Sequence, residues 1–375
     1  MPARFSAVGI KTSPVDGSRI PRLTPEFVEQ SAADAGFELC GIAPVLEFPE
    51  LARFPDWIAS GHAGEMKYLE SRDETGKLRR ASLKSVFPWA HSVVVCAVNY
   101  NTAHPYSTQV NSLGHGWISR YAWSREDYHD SVLRRLRQVE SKLNDVAGKT
   151  IETRAYVDTG PIVERVYAKY AGVGWLGKNT CLINQTIGSW LFLGVIVTSL
   201  ELTPDLPAPD RCGSCTRCID ACPTQAFIAP HQLDSNKCIS YLTIEKRGAI
   251  DETLRTGMGH HVFGCDICQD VCPWNRKAPA SDKAEFQPRE GLVNPALDWL
   301  AEISEEEFRE KFRGSPIKRT KRNGLRRNAL VAIGNGGDRS HLPLIARALE
   351  DPDPAVSDAA KWAQQQIVGP KEIAD

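Results

Sequence analysis

Long apolar runs are missing from this 375-residue chain. The longest, Trp190–Leu200 (WLFLGVIVTSL), is about half of the ~20 residues that a membrane-spanning helix needs, so no span is expected. The opening stretch MPARFSAVGIKTSP carries no continuous apolar core and no twin-arginine pair, which reads against a secretion signal and places the protein in the cytoplasm. An excess of charge is lacking too. The 45 Lys and Arg against 46 Asp and Glu give a net charge of −1, which argues against a polyanion binder on average but leaves room for a local basic patch. An apolar fraction of 42% and a charged fraction of 24% are ordinary for a soluble globular protein of two or three domains.

Cysteine, by contrast, is plentiful. Of eleven, eight fall between Cys212 and Cys272, while Cys40, Cys96 and Cys181 are scattered. In a reducing compartment, clustered cysteines more often bind metal than pair with one another.

The first 200 residues contain runs expected as buried strands: Ser92–Val98, Arg154–Val157 and Trp190–Thr198. Between them lies a helical pattern over Tyr128–Val146, with Val132, Leu133, Leu136, Val139 and Leu143 in register. This alternation predicts an α/β domain over residues 1–205. A proline-rich hinge, LTPDLPAPD, separates it from a cysteine-rich unit over 206–285. Residues 286–375 turn helical: His341–Leu349 and Ala355–Ile367 flank DPDP, and the second resembles half of a HEAT-type repeat.

CGSCTRCIDACP (Cys212–Pro223) fits C-x2-C-x2-C-x3-C-P, the run of two-cluster bacterial ferredoxins. The fourth cysteine of such a run serves the other cluster. GCDICQDVCPWN (Gly264–Asn275) has the last three cysteines of a second run but Val262 where the first belongs. One quartet is then Cys212, Cys215, Cys218 and Cys272. The other is Cys222, Cys265 and Cys268, completed by Cys238, the remaining cysteine of the window. Two [4Fe–4S] clusters are expected, the second lying nearer whatever the Cys238–Cys265 insertion packs against. Structural zinc is the alternative, since it also uses C-x2-C pairs.

AGVGWLGKNTCLI (Ala171–Ile183) contains G-x-G-x-x-G and nearly G-x4-G-K, yet a helical pattern precedes it and Asn179 stands where a P-loop needs Ser or Thr. It reads as a helix stop at Gly172 followed by a tight loop able to approach a flat or amide-rich ligand, or as a plain connection. In RAYVDTGPIVER, Asp158 ends a strand. It is either the cap of the following helix or a free carboxylate placed for chemistry.

YVDTGPIVERVYAKYAGVGWLGKNTCLI, SRYAWSREDYHD, the cysteine array with CISYLTIEKRG, and GSPIKRTKRNGLRRNALVAIGN together resemble the epoxyqueuosine reductase family. The resemblance implies an α/β cobalamin-binding domain, a two-cluster ferredoxin domain and an all-α HEAT-like cap. It implies reduction of the epoxide of epoxyqueuosine, at the wobble position of tRNA anticodons, with Asp158 as proton donor. The cobalamin contacts it suggests are Arg80, Tyr121, Asp158, Lys178, Asn179, Thr180, Leu182 and Ser240. An external donor, a reductase, flavodoxin or ferredoxin, would supply electrons to a monomer. His129, in DYHDSV, stands where some cobalamin proteins supply a histidine to cobalt, but Val132 replaces the glycine of that motif. It is expected to be structural.

Arg313–Arg327 holds seven basic residues and no acid. Such a run is commonly a solvated face. With tRNA as substrate, Lys318, Arg319, Lys321, Arg322, Arg326 and Arg327, joined by Arg247, become phosphate contacts. Two rival functions carry less of the sequence. A reductive dehalogenase shares cobalamin and clusters but is usually exported through a twin-arginine signal. A non-catalytic electron carrier or RNA-binding module has no use for the large α/β domain.

Overall fold

The computed structural model describes residues 23–110, 113–148 and 150–369, and the opening stretch read above for export signals lies outside them. Four strands, β1 (Leu39–Pro44), β2 (Ser92–Asn99), β3 (Thr153–Tyr156) and β4 (Leu191–Thr198), form one sheet in the order β1–β2–β4–β3. Every pairing is antiparallel. The expected strands are present, and the sequence reading assigned them no direction. A continuous apolar run reports burial on both faces, not strand direction.

Both faces of the sheet are covered. Val94, Cys96 and Val98 of β2 pack beneath α1 (Pro25–Asp34) and α2 (Tyr128–Ala147), whereas Val93, Val95 and Ala97 face α3 (Glu164–Tyr170). The long helix α2 follows its sequence signals. Asp127 accepts the His129 amide at its start, Val132, Leu136, Val139 and Leu143 line its buried side, and Gly148 ends it with φ 61°. Gly194 of β4 allows the close packing, since a Cβ there would stand 2.7 Å from Leu136.

The C-terminal helices surround one long element, α4 (Lys321–Gly336), whose residues from Leu325 to Gly334 are all buried. Packed on it are α5 (Pro354–Val368) and the short helix Leu297–Glu302. Asp353 of DPDP caps α5 by accepting from the amides of Ala355 and Val356, and Pro354 fills the first turn. This core extends past the helices. Trp117, Ile118 and Trp123 share it with Ile239, Leu242, Val262 and Phe263, so it crosses the boundaries expected from composition. The Cys238–Cys265 insertion supplies much of the seam, because its strand His261–Phe263 pairs in parallel with Trp117–Ile118. No helix among the described residues is long and apolar enough to cross a membrane.

Candidate active site

All eight cysteines of the window are free thiols. Cys218 and Cys272 each lie in the electrostatic field of Cys212, with Cys215 beside Cys218. Cys265 feels Cys238 and Cys222, and Cys268 feels Cys265 and Cys238. Burial raises the Cys272 thiol to about 11, with the neighbouring thiols adding to the shift. Such thiols need a positive partner to ionise. Among the described residues, no three Cys, His, Asp or Glu side chains converge tightly enough for one metal ion. Two short helices, Arg217–Asp220 and Ile267–Asp270, carry the matching halves of the two runs and touch each other.

The glycine-rich loop closes against these runs. After α3, Gly172 adopts φ 71° as the expected stop, and the loop leaves through a hairpin of Trp175–Leu176 with Leu182–Ile183. Lys178 Nζ donates to the Gly213 carbonyl at 2.7 Å. Buried Asn179 donates to the Cys268 carbonyl at 3.2 Å, and its own carbonyl accepts the Cys181 amide. Thr180, at φ 64°, offers its carbonyl to Arg165. Leu182 is a correction to the expected ligand contacts: its side chain is buried in the core beneath the sheet and cannot face a ligand.

Asp158 lies just beyond β3 with φ 57°, a left-handed conformation uncommon for a residue with a side chain. It caps no helix, because α3 begins at Glu164 without a side-chain cap. Its carboxylate is exposed and accepts the Tyr128 hydroxyl at 3.1 Å. Burial, then the Asp158 charge, holds that phenol well above its usual range, so it remains a donor. Tyr121 packs edge-on against Tyr128. Tyr68, Glu164, Arg165 and Arg319 all feel Asp158 electrostatically. Glu164 is raised to about 7 by burial and by Asp158, and its Oε1 is inaccessible and without a hydrogen-bond partner. Arg80 bonds the Tyr68 carbonyl at 3.1 Å, and its guanidinium stands 5.7 Å from the Tyr68 ring centre. Ser240 stands in the first turn of the helix Ile239–Ile244, which begins after Cys238. His129 is structural, bonded to Asp127 at 2.7 Å. Donors, acceptors and aromatic faces around the exposed Asp158 carboxylate suit a large ligand fringed with amides, as cobalamin is.

The basic run divides. Lys318, Arg319, Lys321 and Arg247 are exposed, although Arg319 is paired with Glu245 and Arg247 donates to the Arg319 carbonyl. Arg322 is partly covered and bonds the Ile303 carbonyl. Arg326 and Arg327 are corrections. Arg326 is 8% exposed and bound to Asp351 and the Ala301 carbonyl, and Arg327 is 2% exposed and donates to three backbone carbonyls. Burial lowers Arg327 to about 10. Neither guanidinium is available to a phosphate.

Sequence reasoning missed Tyr68, Tyr128 and Glu164. Aromatic and acidic residues in helical patterns read as core and surface, and only folding brings these three to Asp158.

Residues 211–275 match the 4Fe-4S double cluster binding domain family, which favours clusters over structural zinc. Residues 80–159 match the family described as epoxyqueuosine reductase QueG, DUF1730. The chain is 44% identical over 294 residues to an epoxyqueuosine reductase of Synechocystis, covering 77% of this chain and 98% of that protein. It is 37% identical over 367 residues to one from Xanthomonas campestris, covering 96% and 99%. A crystal structure of selenomethionine-labelled epoxyqueuosine reductase superposes with a TM-score of 0.82 at 32% identity, covering 91% of this chain and 90% of that one. A second, of epoxyqueuosine reductase with an epoxyqueuosine-modified tRNA-Tyr stem loop, also gives 0.82, at 31% identity, covering 93% and 91%.

Proposed function

The chain belongs to the epoxyqueuosine reductase family, an oxidoreductase with a double-cluster ferredoxin domain, and from that premise we propose the residues that carry its reaction. The substrate is epoxyqueuosine in a tRNA anticodon loop. Its epoxide takes up two electrons and two protons, becomes an alkene and releases the oxygen as water. When bound, two [4Fe–4S] clusters and cobalamin supply the electrons, which come from an external one-electron donor. Cys212, Cys215, Cys218 and Cys272 hold one cluster, and Cys222, Cys238, Cys265 and Cys268 hold the other. Arg80, Tyr121, the Thr180 backbone and Ser240 are assigned to the cobalamin side of the site.

Asp158 delivers a proton to the departing epoxide oxygen. The Tyr128 hydroxyl holds the carboxyl group in place from the other side, leaving one carboxyl oxygen free for substrate. The second quartet is read as the one on the acid's side, because Arg165, in the field of Asp158, donates to the Thr180 carbonyl, and the neighbouring Asn179 donates to the Cys268 carbonyl. The observation that carries this reading is the exposed, left-handed Asp158 braced by Tyr128. The C-terminal helices are read as a HEAT-like cap whose exposed Arg247, Lys318, Arg319 and Lys321, with Arg322, meet anticodon-stem phosphates. Anaerobic incubation of the cluster-loaded protein with epoxyqueuosine tRNA, cobalamin and dithionite should yield queuosine. Omitting cobalamin should abolish product, and undiminished conversion without it would refute the cofactor assignment.

A further inference from the structure

Tyr68 is a large aromatic side chain left 46% exposed, in the single helical turn Lys67–Glu70. Two guanidinia stand over its ring, Arg319 at 5.2 Å from the centre and Arg80 at 5.7 Å. Neither cation is loose. Arg319 is paired with Glu245, and Arg80 bonds the Tyr68 carbonyl at 3.1 Å. The turn itself is tied to the basic face. The Glu65 amide donates to the Tyr241 hydroxyl at 2.8 Å, and the Glu65 carboxylate accepts from Lys246 Nζ and, at 2.9 Å, from the Arg247 amide. Arg247 in turn donates to the Arg319 carbonyl at 2.8 Å. Tyr68, Arg80, Arg247 and Arg319 therefore form one braced cluster, with exposed Lys318 next to it in the chain.

Phosphate contacts fix the register of a nucleic acid but carry no information about its bases. The loop that presents a wobble nucleotide is single-stranded, and unpaired bases are held by stacking on aromatic rings and guanidinium planes. A solvent-exposed ring under two arginines has that composition. Burial, then the Glu245 charge and more weakly Asp158, raise the Tyr68 phenol, in keeping with a ring on the Asp158 side of the cluster. Resting on the tRNA reading of the basic face, we propose that Tyr68 stacks an unpaired anticodon-loop base adjacent to the wobble nucleotide, flanked by Arg80 and Arg319. The stack holds the loop open while the modified nucleotide enters toward Asp158. Arg319 then joins the two modes of contact, because it lies over the ring and belongs to the run that faces phosphates.

The test measures binding, without reductant or turnover. The probe is a fluorescently labelled epoxyqueuosine anticodon stem loop, alongside the same RNA with an abasic site on either side of the wobble position. Tyr68→Ala should weaken binding about tenfold, the scale of one lost base–aromatic stack, with iron content and melting temperature kept. Tyr68→Phe should bind within about twofold of wild type, since stacking needs the ring and not the hydroxyl. The salt slope of Tyr68→Ala should equal that of wild type, because no phosphate contact is lost. One of the two abasic RNAs should bind wild type about tenfold more weakly yet lose nothing further with Tyr68→Ala. The proposal is overturned if both abasic RNAs bind wild type normally, if Tyr68→Ala binds as wild type does, or if Tyr68→Phe loses as much as Tyr68→Ala. A changed salt slope, or a loss of cobalamin affinity in place of RNA affinity, would also overturn it. Failure of the wild-type protein to bind any stem loop would instead bring down the tRNA reading on which the proposal rests.

Discussion

At the scale of single residues, Glu164 is the least expected finding. Its neutral form is favoured by burial and then by the nearby Asp158 charge, raising it from 4.5 to about 7. An acid with a raised pKa binds more protons folded than unfolded, so its contribution to stability is complete below about 4.5 and is lost as pH rises toward 7. Glu164→Gln should therefore flatten the slope of thermal stability across that window, and an unchanged slope would remove Glu164 from the account. The double-cluster domain was legible in the sequence because ligand spacing is a chemical requirement written along the chain. Arg326 and Arg327 were misread for the opposite reason. Charge density says nothing about which side of a helix faces the core, and both guanidinia are spent on carbonyls inside it.

At the scale of elements, the second cysteine run is anchored by Asp266, which stands between Cys265 and Cys268. Its buried carboxylate accepts from Trp117 Nε1, the Ser119 hydroxyl and the Arg120 amide. It therefore couples the run to the segment that pairs with His261–Phe263. Asp266→Ala leaves several buried donors unpaired, each costing about 1–3 kcal/mol. The variant should be destabilised by several kcal/mol and should lose iron from the second quartet before the first, as read by EPR after mild chelation. Equal loss from both would show that Asp266 does not support one run selectively. Strand and helix positions were largely legible, since apolar periodicity reflects burial. The antiparallel order of the sheet was not, because direction depends on connections that periodicity does not record.

At the scale of the whole molecule, the core that joins Trp117 and Trp123 to the C-terminal helices explains how a distant basic face and Asp158 share one frame. Arg319 illustrates the connection. It pairs with Glu245, and its guanidinium stands 5.2 Å from the ring centre of Tyr68, itself within the field of Asp158. Charge reversal of Lys318 and Lys321, both exposed, should weaken tRNA-stem binding. The slope of log affinity against log salt should fall by about one for each phosphate left unneutralised. The same affinity and slope as wild type would place the tRNA elsewhere. The cysteine array and the basic run were visible as patterns, but the assembly of one site from residues as distant as Tyr68, Asp158 and Arg319 was not. Such proximity follows from packing and has no local signal.

The most direct measurement for the account as a whole is single-turnover conversion of epoxyqueuosine tRNA by Asp158→Asn, under strong reductant, with cluster and cobalamin content quantified in the same sample. The carboxamide keeps the shape and can accept the Tyr128 hydrogen bond, but it has no acidic proton to give. Full cofactor content with product formation reduced at least ~100-fold, in line with the typical contribution of a positioned acid, is the predicted result. Near wild-type conversion by that variant would contradict the assignment of Asp158 as the acid.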